Sequence, residues 1–152
     1  MLWVVFALAA AVPIVPAGRS FACTPTAVYD GDGPVWCREG PRLRLSGIAA
    51  RELDGSCRSN QPCPRARAEA ARDALVRLFG GPRGQLQTGH VVVRAPTMRC
   101  LSLGEGRGDR TAASCTLPDG RDLSCAMIRT GTVLRWPRYG GDRLCSGPGN
   151  RK

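Results

Sequence analysis

Polar and apolar positions change period several times along the chain, and each change marks an element. Residues 26–30, TAVYD, combine β-branched and aromatic side chains and predict a strand. Asp30-Gly31-Asp32-Gly33 then reads as a turn, because glycine accepts positive φ and aspartate hydrogen-bonds its own backbone. Residues 34–37 return as a strand. Arg42-Leu43-Arg44-Leu45 alternates with period two, which sends the leucines to one face and the arginines to the other. Gly47 to Ala50 leaves that strand, and Glu52 follows. Residues 54–64, DGSCRSNQPCP, form a loop, and Pro64 suits the first position of a helix. That helix is expected over 65–79, where Ala68, Ala71, Leu75 and Leu78 make an apolar stripe. Arg65 with Glu69 and Asp73 with Arg77 are opposite charges at helical spacing, and Gly80-Gly81-Pro82 stops the run.

The second half carries shorter signals. Residues 90–95, HVVVRA, read as a strand, and 98–103 continue or return it. Residues 104–109 are a glycine-rich loop, 110–117 another strand, and Asp119-Gly120 a turn. A short helix is expected over 122–130, with Asp122 as its cap and Gly131 as its stop. Residues 132–136 extend again, and 140–152 form a basic, glycine-rich tail. Three strands, a helix, two strands and a helix predict a mainly β fold with two helices. The arrangement expected is a small, partly open five-stranded barrel of the oligonucleotide-binding (OB) type.

Composition adds a compartment and a class of partner. The chain has 152 residues, enough for one domain, and a net charge of +10. Lys152 is its only lysine, so the base is arginine, whose planar fork fits phosphate. Such a charge favours anionic partners, although a solvated basic surface gives the same total. Residues 1–15 are apolar, broken by Pro13 and too short for a comfortable span. They suit the core of a secretory signal. Ser20 and Ala22 supply small residues before Cys23, so the signal is assigned to 1–22, with Ala17 as another candidate end. Eight cysteines behind such a segment imply disulfides in an oxidising compartment, periplasmic or extracellular. The pairings expected are Cys23 with Cys37, Cys57 with Cys63, Cys100 with Cys115 and Cys125 with Cys145. A zinc site is disfavoured: there is no C-x-x-C pair, and His90, the only histidine, reads as a structural or surface residue.

Val28-Tyr29-Asp30-Gly31-Asp32 followed by Arg44-Leu45-Ser46-Gly47-Ile48-Ala49-Ala50-Arg51-Glu52 resembles the thermonuclease (staphylococcal nuclease-like) family. That family's pattern is D-G-D-T and then R-L-x-G-I-D-A-P-E. The resemblance covers about 23–139 and implies the OB-type fold, calcium, and cleavage of DNA or RNA. It assigns Asp32 to the metal, Arg44 to the phosphate and Glu52 to the general base. Arg110, within Gly106-Arg107-Gly108-Asp109-Arg110-Thr111-Ala112-Ala113, matches the second phosphate-binding arginine. Two guanidinium groups suit a transition state of spreading negative charge, and a carboxylate beside it can take a proton from water. Four positions depart from the pattern. Ala49 replaces the second metal carboxylate, Arg51 the proline, Gly33 the threonine and Gly108 the tyrosine. Asp30 or Glu52 would have to compensate for Ala49, or Arg51 would bring a positive charge there. The alternatives are a catalytically inactive module that binds nucleic acid or another anionic envelope partner, with Trp136 and Tyr139 as stacking faces, and a disulfide-stapled envelope protein that keeps only the fold. Nothing in the sequence indicates a protein partner.

Overall fold

In the computed structural model, residues 9–147 are described; residues 1–8 of the expected signal and 148–152 of the tail lie outside them. The chain forms β1 (Ser20–Cys23), β2 (Pro25–Val28), β3 (Val35–Cys37), β4 (Arg42–Leu45) and β5 (Ile48–Ala49), then α1 (Ala68–Leu78). It continues through β6 (Gly84–Gln85), β7 (Val91–Val92), β8 (Met98–Glu105), β9 (Arg110–Thr116), α2 (Leu123–Arg129) and β10 (Leu134–Arg135). The protein is thus mainly β with two helices. The sheet holds eight strands rather than the expected five, in the order β1-β8-β9-β4-β3-β2-β7-β6, and β5 pairs with β10 in a separate ribbon. β5, β6, β7 and β10 are each two residues long, too short to leave a period in the sequence.

The sheet curls because one residue, Thr24, separates two strands with different neighbours. Before it, β1 pairs with β8; after it, β2 pairs with β3. β4 and β9 run parallel, with Arg42 beside Arg110 and Arg44 beside Ala112. The alternation expected in β4 is present: Leu43 and Leu45 are fully buried, whereas Arg42 and Arg44 are half-buried on the other face. The core beneath joins Val28, Val35, Leu75, Met98, Leu123 and Met127.

Residues ahead of Cys23, assigned by the sequence to the signal, are also built into this sheet. Gly18 N–H donates to the Ser102 carbonyl and Ser102 N–H to the Arg19 carbonyl, both at 2.9 Å. Two fully buried hydroxyls meet Val15: Ser102 Oγ donates to its carbonyl at 2.6 Å, and its N–H donates to Thr111 Oγ1 at 3.1 Å.

All four expected disulfides are present. Among the described residues, no helix is long and apolar enough to cross a membrane.

α1 starts at Ala68, three residues later than the expected 65. The Pro64 carbonyl is taken by Arg51, whose Nε and Nη2 donate to it at 3.1 and 2.7 Å, so Pro64 closes the preceding loop instead of opening the helix. The expected charge pairs shift as well: Glu69 pairs with Arg67 at 3.5 Å and Asp73 with Arg72 at 3.2 Å. α2 is capped as expected, Asp122 Oδ1 accepting from Cys125 N–H at 2.7 Å.

Candidate functional site

The turn between β2 and β3 is pinned over β4, since Leu45 N–H donates to the Asp32 carbonyl at 2.9 Å. Beneath the turn lies α1. A Cβ on Gly31 would collide with Ala71, so glycine is what lets turn and helix meet. The turn therefore delivers Asp30 and Asp32 to one end of the sheet, beside Arg44. Parallel pairing of β4 and β9 brings Arg110 to the same face. Just past β5, the chain supplies Glu52.

These residues line one cleft of about 600 Å³. Asp32, Arg44, Glu52 and Arg110, the four positions singled out in the sequence, all face it. Trp136 and Tyr139 form part of its rim, their rings packed edge to face at 4.9 Å. Ala49 is not among the lining residues. It is fully buried in the β5–β10 ribbon, opposite Leu134.

Arg44 is held from several sides. Its guanidinium donates to the carbonyls of Leu45 and Ile48, pairs with Asp32 Oδ2 at 3.1 Å and lies 5.8 Å from the Trp136 ring. Asp32 Oδ2 also accepts from Ala50 N–H at 3.0 Å. Arg110 Nε donates to the Arg107 carbonyl at 2.8 Å, which fixes its direction. Its pKa is lowered, first by burial and then by the nearby Arg44 and Arg58 guanidinium groups. Three guanidinium groups thus share one field, which favours an anion among them.

Asp30 is 4% exposed, and its Oδ1 accepts from Gly31 N–H. Burial, followed by Asp32 and Glu52, pushes its carboxyl up from 3.8 to about 8. It is therefore a neutral acid near pH 7.

One expectation is corrected. Arg51 does not place its charge at the cleft: besides Pro64, its guanidinium donates to the Gly55 carbonyl at 2.8 Å, and so it braces the 54–64 loop. The cleft also contains Arg58, which the sequence reading did not single out. Its Nε pairs with Glu52 Oε1 at 3.3 Å. Its signal was indirect, a lone arginine inside the segment closed by Cys57 and Cys63, six residues after Glu52.

Calcium is a hard cation that takes about six to eight oxygen ligands. Among the described residues, no group of three or more carboxylate, imidazole or thiolate side chains converges on one point. Asp32 is engaged by Arg44 and Ala50, Glu52 by Arg58, and Ala49 offers no carboxylate. This arrangement does not fit calcium, and the chemistry below uses the protein's own groups.

Comparison with protein-family models and with curated proteins finds no match to the chain.

Proposed function

We propose that the cleft binds the phosphodiester backbone of DNA or RNA and hydrolyses it. The observation that supports this reading is the convergence of Asp32, Arg44, Glu52 and Arg110, brought from four separate segments, on one cleft. Arg44 and Arg110 hold the phosphate and neutralise the charge that grows on it. Asp32 orients Arg44. Glu52 accepts a proton from a water as its oxygen bonds to phosphorus; the leaving oxygen departs with a proton from solvent. Trp136 and Tyr139 offer ring faces for a base beside the phosphate.

The fold supports the same reading. The split β1–β2 strand with β3, β4, β8 and β9 makes a five-membered circuit, with β4 and β9 its parallel pair. We read it as an OB-type barrel carrying short added strands, and the chain as a divergent relative of thermonucleases. Four disulfides suit an oxidising compartment, and with the apolar start of the chain they support export to the periplasm or medium.

The test is cleavage of single-stranded DNA and RNA by the oxidised protein. Glu52→Gln should lower the rate by roughly a hundredfold or more while leaving binding in place. An unchanged rate removes Glu52 from the chemistry.

A second reading is a binding module without catalysis. It is favoured by the pairing of Glu52 with Arg58, which occupies the proposed base. Binding with no cleavage by the wild-type protein would establish it.

A further inference from the structure

We propose that the loop closed by Cys57 and Cys63 supplies Arg58 as a third guanidinium ligand for a phosphate held by Arg44 and Arg110, so that the cleft grips its anion without a divalent cation. The inference rests on the phosphate-binding reading above and adds a residue that reading does not use.

The loop is built as a rigid wall. Cys57 and Cys63 bond across a separation of only six residues. Arg51 ties its flanks through the Gly55 and Pro64 carbonyls. Gln61 Nε2 donates to the Ala50 carbonyl at 2.7 Å, fastening the loop to the segment that also holds Asp32. Glu52 N–H donates to the Ser56 carbonyl at 3.0 Å. Fixed in this way, Arg58, Ser59, Asn60 and Gln61 all face the cleft.

Charge then assigns the role. A phosphodiester is a monoanion that becomes more negative on the way to hydrolysis. The cleft is lined by five arginines, Arg44, Arg58, Arg107, Arg110 and Arg138, against four acidic side chains, Asp30, Asp32, Glu52 and Glu105. Positive charge is therefore in excess there even with every acid ionised, and an anion entering the cleft balances it. The Arg58 side chain is 44% exposed, and its contact with Glu52 is a single pair at 3.3 Å. An exposed pair of this kind is weak. A phosphate accepting from Arg58 replaces it and leaves the Glu52 carboxylate free to take a proton. Arg58 thus supplies the positive charge that the carboxylates, lacking one at Ala49, cannot recruit through calcium.

The experiment is fluorescence anisotropy of a short single-stranded oligothymidylate with the full-length oxidised chain, in chelator and over a range of salt. The variants are Arg58→Gln, Arg58→Lys, Arg44→Gln, Arg110→Gln, and Cys57→Ser with Cys63→Ser. The wild type should bind in chelator. Arg58→Gln should weaken binding roughly tenfold and reduce the salt slope by about 0.7. Arg58→Lys should retain the slope. The paired cysteine variant should lose a similar factor and add little to Arg58→Gln, because both changes remove one contact. Binding that requires calcium overturns the inference. So does an Arg58→Gln protein with wild-type affinity and slope; if Arg44→Gln or Arg110→Gln still weakens binding, the cleft reading survives. If none of the three arginine variants changes binding, both fail.

Discussion

Replacing Asp30 by asparagine should stabilise the protein increasingly as pH rises, because Asp30 is a buried acid held far above its ordinary value. Burial acts first, then Asp32 and Glu52, and together they carry it from 3.8 to about 8. In the unfolded chain the group ionises near its ordinary value; in the folded protein it stays protonated to about pH 8. Folding therefore takes up a proton between those limits, and wild-type stability falls as pH rises through them. Below the lower limit both states are protonated and the penalty is absent; above the upper limit it is complete. At about 1.4 kcal/mol per pH unit, the full penalty is roughly 5–6 kcal/mol, and near neutrality roughly 4 kcal/mol. That is a large share of the roughly 5–15 kcal/mol by which domains are usually stable, and four disulfides at about 2–4 kcal/mol each offset it. Asparagine keeps an oxygen for Gly31 N–H and carries no proton to lose. Urea titrations at about pH 4, 7 and 9 should show the two proteins diverging, Asp30→Asn being more stable by at least about 2 kcal/mol at the top of the range. Parallel pH profiles, or a variant weaker throughout, would show that Asp30 is not held protonated in the folded protein.

Gly31→Ala should cost roughly 1–3 kcal/mol, read as a lower denaturant midpoint, since its Cβ meets Ala71 of α1. His90 gives a pH effect of opposite sign to Asp30. Burial and then Arg42 hold its pKa below 6.5, so it contributes stability above that pH that is lost as pH falls through it; His90→Gln should flatten this acid limb in the same titrations. A chain starting at Cys23 should unfold at lower denaturant than one keeping residues 9–22, because it lacks most of β1 and the Val15 contacts to Ser102 and Thr111; equal midpoints would show that the segment adds nothing.

Much of the fold was legible wherever one segment carried its own signal. The β4 arginines and leucines alternate over four residues, and that alternation survives folding because Leu43 and Leu45 must be buried. The cysteine pairs followed from hairpins and loops that bring near neighbours together. The cleft residues were legible because Asp32, Arg44 and Glu52 lie within one short stretch of spaced motifs, with Arg110 placed by a second. What escaped depends on contacts between distant segments. β1 exists because β8 pairs with it, and a two-residue strand such as β7 is defined by its partners β2 and β6. The α1 start moved because Arg51 captured a carbonyl that no helical period can register. The displaced acidity of Asp30 requires burial beside two other carboxyls, and the approach of Arg58 to Glu52 requires the loop to close. Neither has a sequence period.

In the proposed mechanism Arg44 and Arg110 hold a phosphate between them. The most direct measurement is a crystal structure of the Glu52→Gln protein with a short single-stranded oligonucleotide. A backbone phosphate should lie within hydrogen-bonding distance of both guanidinium groups, with a base against Trp136 or Tyr139. A strand bound elsewhere on the basic surface, with the cleft filled only by solvent, would contradict it.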